Sequence, residues 1–139
     1  MNKSFYCCID SLLPATQPEQ HIICEKIAKL NNGKIVFYGA EDILVRNQQP
    51  FIFEKLKRTP KIDGVIFFTI EQFNFENNFN IELIKNILVR KLSIHFAREG
   101  ISYFNFKKLK KDLPEIYSYL YSTSRNRKEY AKNLKNYFF

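Results

Sequence analysis

Between Ile62 and Gln72 the chain reads Ile-Asp-Gly-Val-Ile-Phe-Phe-Thr-Ile-Glu-Gln, a nearly unbroken run of β-branched and aromatic side chains. Apolar residues that do not alternate with polar ones predict a strand covered on both faces, as the middle strand of a parallel sheet is. Asp63-Gly64 opens the run as a turn, and Glu71-Gln72 bring the first polar side chains at its end. Ligands of open α/β sheets bind at the carboxyl ends of the strands. The expected site therefore lies near Glu71 and Gln72.

The flanking segments fit that frame. Ser4–Ile9 is a first strand ending at Asp10-Ser11. Thr16 starts a helix with a capping box, since Glu19 follows three residues on and Pro18 is tolerated in the first turn. Ile23, Ile27 and Leu30 form its expected buried stripe, and Asn31-Asn32-Gly33 stops it with Gly33 left-handed. Lys34–Tyr38 is a second strand followed by Gly39-Ala40-Glu41-Asp42, and Ile43–Arg46 is either a strand extension or an irregular crossing. Asn47 caps a second helix through Lys57, with Ile52, Phe53 and Leu56 inward and Pro60 ending it. After the central run come an Asn- and Phe-rich loop, a helix over Asn80–Lys91, a strand over Leu92–Ala97 and a short strand over Ile101–Phe104. This alternation predicts βαβ units and a mainly parallel sheet of four to five strands with helices on both faces.

The tail differs in charge. The net charge is +8, but residues 1–104 carry 13 Lys and Arg against 11 Asp and Glu, whereas residues 105–139 carry 9 against 3. Asp112-Leu113-Pro114-Glu115 reads as a fresh helix start, and Thr123 or Ser124 as the cap of a last helix bearing Tyr130, Leu134 and Phe138. The apolar stripes of this basic helical extension, residues 105–139, are expected to complete the core of the 1–104 domain or a homodimer interface. Exposed lysines on such helices are usually solvated, so nucleic acid is not an expected partner.

Three cysteines without C-x-x-C spacing argue against a disulfide framework and a structural zinc site, leaving buried thiols. No apolar window spans a bilayer, and the N-terminus lacks a signal peptide's apolar core, so the expectation is a cytoplasmic protein. No dinucleotide loop, Walker loop, nucleophile elbow or H-E-x-x-H motif is present, and four glycines leave little for a phosphate cradle. No cofactor and no metal are expected.

The polar candidates therefore sit at strand ends. Glu41, Glu71 and Glu99 are the acid/base candidates, and His95 either faces a site or is a hydrogen-bonded core residue. Asp10, Ser11, Gln72 and Arg98 are the candidates for binding substrate. Glu41, Gln72, His95 and Glu99 are expected to share one cleft.

Two resemblances follow from these segments. The order of elements over residues 4–104 resembles the catalytic domain of serine resolvases. Cys8 and Asp10 stand where that family has an arginine and its serine nucleophile, and Glu71–Phe75 lacks its arginines, which implies the architecture without recombination. More specifically, the chain resembles the sporadic carbohydrate cluster family, small proteins encoded among bacterial surface-polysaccharide genes. The residues are Gln17-Pro18-Glu19-Gln20-His21, Ala40-Glu41, Asp63–Phe68 through Gln72-Phe73, and above all His95-Phe96-Ala97-Arg98-Glu99-Gly100. Where that family has a Ser-Arg pair and a glycine after the first strand, this chain has Asp10-Ser11. The resemblance implies a role in lipopolysaccharide or capsule synthesis, with a sugar or nucleotide-sugar ligand or a biosynthetic partner enzyme. Two rivals are a non-catalytic scaffold of such a cluster and a degenerate resolvase-like nucleic-acid-binding protein.

Overall fold

The central run does form the middle of a sheet, but its strand is shorter than its sequence. In the computed structural model, which describes residues 2–10, 16–41, 49–58, 61–75 and 78–123, only Gly64–Phe67 is strand. Thr69-Ile70-Glu71-Gln72 is itself a capping box, and it turns the chain into a 3₁₀ turn over Ile70–Phe73. Glu71 and Gln72 thus lie in a turn beyond the strand. Residues 64–70 are nonetheless all buried.

In chain order the elements are β1 (Lys3–Asp10), α1 (Gln17–Leu30), β2 (Gly33–Glu41), α2 (Pro50–Arg58), β3 (Gly64–Phe67), the 3₁₀ turn, and a small antiparallel pair, β4 (Asn74–Phe75) and β5 (Asn78–Phe79). Then come α3 (Ile81–Val89), β6 (Ser93–Phe96), β7 (Ile101–Tyr103) and α4 (Phe106–Thr123). Among the described residues the main sheet has five strands in the order β2-β1-β3-β6-β7, all parallel except β7, which runs antiparallel to β6. This is the α/β architecture expected, with helices on both faces.

Strand alternation sorts the core into two layers. On one face Phe5, Cys7, Ile9, Ile66, Phe68 and Ala97 pack with Cys24 and Ala28 of α1. On the other, Tyr6, Cys8, Val65, Phe67, Ile94 and Phe96 pack with α2, α3 and α4. The three cysteines are buried free thiols. Gly64 is required by close approach, because a Cβ there would lie 2.1 Å from Ser93 Oγ and 2.7 Å from Ser93 O.

Several boundaries differ from expectation for physical reasons. Thr16 caps α1 through the capping box as predicted. The buried stripe of α1 is Gln20, Cys24 and Ala28, with Ile27 beside it, while Ile23 and Leu30 face outward. Small side chains let the helix lie close to the sheet, and Gln20 is drawn in by two bonds to the Asp10 backbone, from Asp10 N at 3.2 Å and to Asp10 O at 2.9 Å. The left-handed residue after α1 is Asn32 (φ 60), not Gly33. Gly33 opens β2, where a Cβ would meet Phe5 Cε2 at 2.4 Å and Lys3 O at 2.6 Å. β2 is longer than predicted and bulged where Val36 slips between the Phe5–Ile35 and Tyr6–Phe37 pairs. Ile52 and Leu56 are buried in α2 and Phe53 is half-buried, whereas Asn47, Pro60 and the Ile43–Arg46 segment lie outside the described residues.

Asp112–Glu115 does not start a helix. Asn105 does, accepting a bond from Lys108 N at 3.0 Å, and α4 runs straight through Pro114. An interior proline costs about 3 kcal/mol. Leu109, Leu113, Ile116, Tyr117 and Leu120 form an unbroken buried stripe, each worth about 1.5–3 kcal/mol, and outweigh it. The predicted final helix beyond Thr123 lies outside the described residues. Among those described, no helix is long and apolar enough to cross a membrane.

Candidate functional site

The sheet reverses its winding between β1 and β3, the crevice where open α/β sheets commonly bind ligands. Here glutamine side chains occupy it. Gln72 donates from Nε2 to Cys8 O at 3.1 Å and accepts from Thr69 N at 3.0 Å. Gln49 donates to Gln72 O at 3.1 Å and accepts from Cys8 Sγ at 3.3 Å. Gln72 is fully buried, and its polar ends knit β1 to the 3₁₀ turn. Asp10 is buried beside it at the end of β1. Ser11 lies outside the described residues.

The four side chains expected in one cleft do not share one. Glu41 is buried at the end of β2 and accepts from Ile52 N at 2.9 Å, so its carboxylate caps the first turn of α2. His95 lies on the α1 face, because its neighbours Ile94 and Phe96 point into the opposite core layer. Its Nε2 is 2.8 Å from Ser93 Oγ and its Nδ1 is 2.6 Å from Ser102 Oγ, between the edges of Phe5 and Phe104. Burial, with a smaller contribution from Lys3, pushes its pKa down to about 4. His95 is thus a neutral, hydrogen-bonded core residue.

Glu71, Arg98 and Glu99 do come together, on the α4 side of the carboxyl edge. A turn after β6 delivers Arg98 and Glu99, and Gly100 closes it with φ 67, a conformation that favours glycine. Glu99 accepts from Ile70 N at 2.9 Å through Oε1. Its Oε2 accepts from Thr69 Oγ at 2.6 Å, Tyr119 OH at 3.0 Å and Arg98 Nε at 3.3 Å. Three of the four donors thus crowd Oε2, while Oε1 receives one. Arg98 also donates from Nη2 to Glu71 Oε2 and Tyr119 OH. Partial burial opposes the guanidinium charge, but its bonds to Tyr119 and Glu71 outweigh that and raise its pKa. Burial is also the main cause raising the Tyr119 pKa, partly offset by the bond from Arg98.

A pocket of about 300 Å³ opens beside this cluster, between β7 and α4. Ile70, Ile101 and Ile116 form its apolar floor, and Tyr103 and Tyr119 supply aromatic walls. Glu99, Asp112 and Glu115 bring carboxylates. Tyr103 donates to Asp112 Oδ2 at 2.9 Å, and burial followed by that bond raises its pKa. Each tyrosine proton is thus committed to a carboxylate, and what remains along the lining is mostly acceptor. Among the described residues no group of three His, Cys, Asp or Glu side chains is placed to hold a metal ion.

Thr69, Tyr103, Asp112, Glu115 and Tyr119 are not among the site candidates that the sequence offers. The signal for the α4 residues was present: Asp112, Glu115 and Tyr119 follow one another at helical spacing beside the Leu109–Leu113–Ile116–Leu120 stripe. Set against protein-family models, curated proteins and solved structures, the chain matches none of them.

Proposed function

We propose that this protein acts in the synthesis of bacterial surface polysaccharide, lipopolysaccharide or capsule, and that it binds a sugar or nucleotide-sugar intermediate in the pocket between β7 and α4. The observation that carries the reading is the acceptor-rich lining set between two tyrosines over an isoleucine floor. Such a lining favours a ligand rich in hydroxyl donors that also presents an apolar ring face. Its volume lies at the small end of the range for small-molecule sites, about 300–1,000 Å³, suited to one sugar ring. The resemblance of His95–Gly100 to the carbohydrate cluster family bears on the same turn, since Glu99 lines the pocket and Arg98 bonds its Tyr119. Through its bonds Glu99 holds Tyr119 and the 3₁₀ turn in place.

A thermal-shift screen against hexoses and their nucleotide derivatives tests this. A ligand at a hundred times its Kd adds about 2.7 kcal/mol, which for a chain of this size raises Tm by roughly 5–10 °C. Glu115→Gln and Tyr119→Phe should reduce the rise. No shift with any member of the panel, or an undiminished shift in both variants, would sink the proposal.

A further inference from the structure

The pocket does not end in isolation on α4. Lys108, Asp112, Glu115 and Tyr119 follow one line along the helix, and Lys111 lies one turn before Glu115. Lys108 Nζ is 6.0 Å from the centre of the Tyr103 ring, which is itself a pocket wall. Lys107, Lys108, Lys110 and Lys111 are exposed, and none makes an ion pair among the described residues. They crowd the first two turns of α4; the first turn holds no acidic residue, and Asp112 and Glu115 follow one turn after Lys108 and Lys111. Solvated as they are, these ammonium groups cost little where they stand, and Lys108, beside Tyr103, is placed to meet an anion at the pocket.

Resting on the reading that this pocket holds a sugar, we propose that the ligand is a phosphorylated sugar whose phosphate stays outside the pocket, against Lys108 and Lys111. The charge order along α4 fixes its direction. Glu99, Asp112 and Glu115 repel a phosphate from the interior and accept from hydroxyls, so the ring enters toward Tyr119. The phosphate is left at the mouth beside Tyr103, within reach of Lys108. A sugar 1-phosphate and a nucleotide diphosphate sugar share this chemistry.

Calorimetric titration of the full chain separates the cases, using glucose, galactose, mannose and N-acetylglucosamine, each as free sugar, 1-phosphate and uridine diphosphate derivative. Inorganic phosphate is the control. At least one sugar should bind about tenfold or more tighter when phosphorylated, as expected for charge-assisted bonds. K108A/K111A should remove that advantage without changing the free sugar's Kd, and so should about 0.5 M salt. A nucleotide form no tighter than the 1-phosphate assigns the contact to the first phosphate, as proposed. Equal affinity for free and phosphorylated sugars, or an unaffected K108A/K111A protein, overturns the phosphate assignment while leaving the sugar pocket standing. Phosphate binding as tightly as sugar 1-phosphate, with Glu115→Gln without effect, overturns the sugar pocket instead. No binding by any probe overturns both.

Discussion

Replacing Glu99 by alanine should be far more damaging than replacing it by glutamine, and the contrast can be worked out from its partners. Ile70 N–H and the Thr69 hydroxyl are both buried and donate to this carboxylate. Without an acceptor each costs about 1–3 kcal/mol. Tyr119 and Arg98 are partly exposed and can turn to water, and Arg98 keeps Glu71. Glu99→Ala should therefore cost about 2–6 kcal/mol. In Glu99→Gln the amide oxygen still receives Ile70 N–H, and the Thr69 and Tyr119 hydroxyls can rotate to accept from the amide. Arg98 Nε and the two hydroxyl protons lose the carboxylate, but each hydroxyl keeps a bond to the amide, so the cost falls to about 1–2 kcal/mol. Tyr119→Phe should cost about 1 kcal/mol in the parent and clearly less in the Glu99→Ala background, where only its bond from Arg98 remains to be lost. Urea denaturation reads all four proteins through their midpoints at constant slope. If Glu99→Gln is as costly as Glu99→Ala, net charge rather than donor satisfaction governs the site. A strictly additive Tyr119→Phe would refute the shared bond.

Three further outcomes are expected. His95 has a folded pKa near 4 against an ordinary 6.5. Between those values the unfolded chain binds the extra proton, so stability is full above pH 6.5 and falls by roughly 3 kcal/mol as pH drops to 4. The His95→Gln protein should lack that component, and parallel pH profiles would contradict the burial argument. Pro114→Ala should raise stability by about 1–3 kcal/mol by restoring a helix bond at an exposed position, read from thermal or urea unfolding, and a loss would contradict it. Gly64→Ala should lower stability by about 1–3 kcal/mol or more, because the new methyl meets Ser93 backbone as well as side chain; an unchanged urea midpoint would contradict the clash.

The sheet was legible because its information is local and redundant. Buried strands advertise themselves as apolar runs, and the α1 cap at Thr16 is written in a few residues. The site was less legible. Glu41, Gln72 and His95 are polar residues at or near strand ends, which is also how a chain caps a helix, ties a turn and fills a hydrogen-bonded core position. Sequence spacing does not separate those uses from a ligand site, since the partners are Ile52 N, Cys8 O and Ser102, 11, 64 and 7 residues away respectively. The face on which His95 lies follows from strand parity, but only once the register with Ile94 and Phe96 is known. Tyr119 reaches Glu99 across 20 residues, a contact created by the packing of α4. Pro114 masks that helix, because a proline reads as a beginning where the long apolar stripe overrides it.

The pocket itself is tested most directly by mapping amide and side-chain NMR shifts on isotopically labelled protein during titration with hexoses and their 1-phosphates. The account predicts saturable shifts at Ile101, Tyr103, Asp112, Glu115 and Tyr119, with Lys108 and Lys111 joining only for the phosphorylated forms. Shifts centred instead on Asp10 and Gln72, at the crevice between β1 and β3, would contradict it.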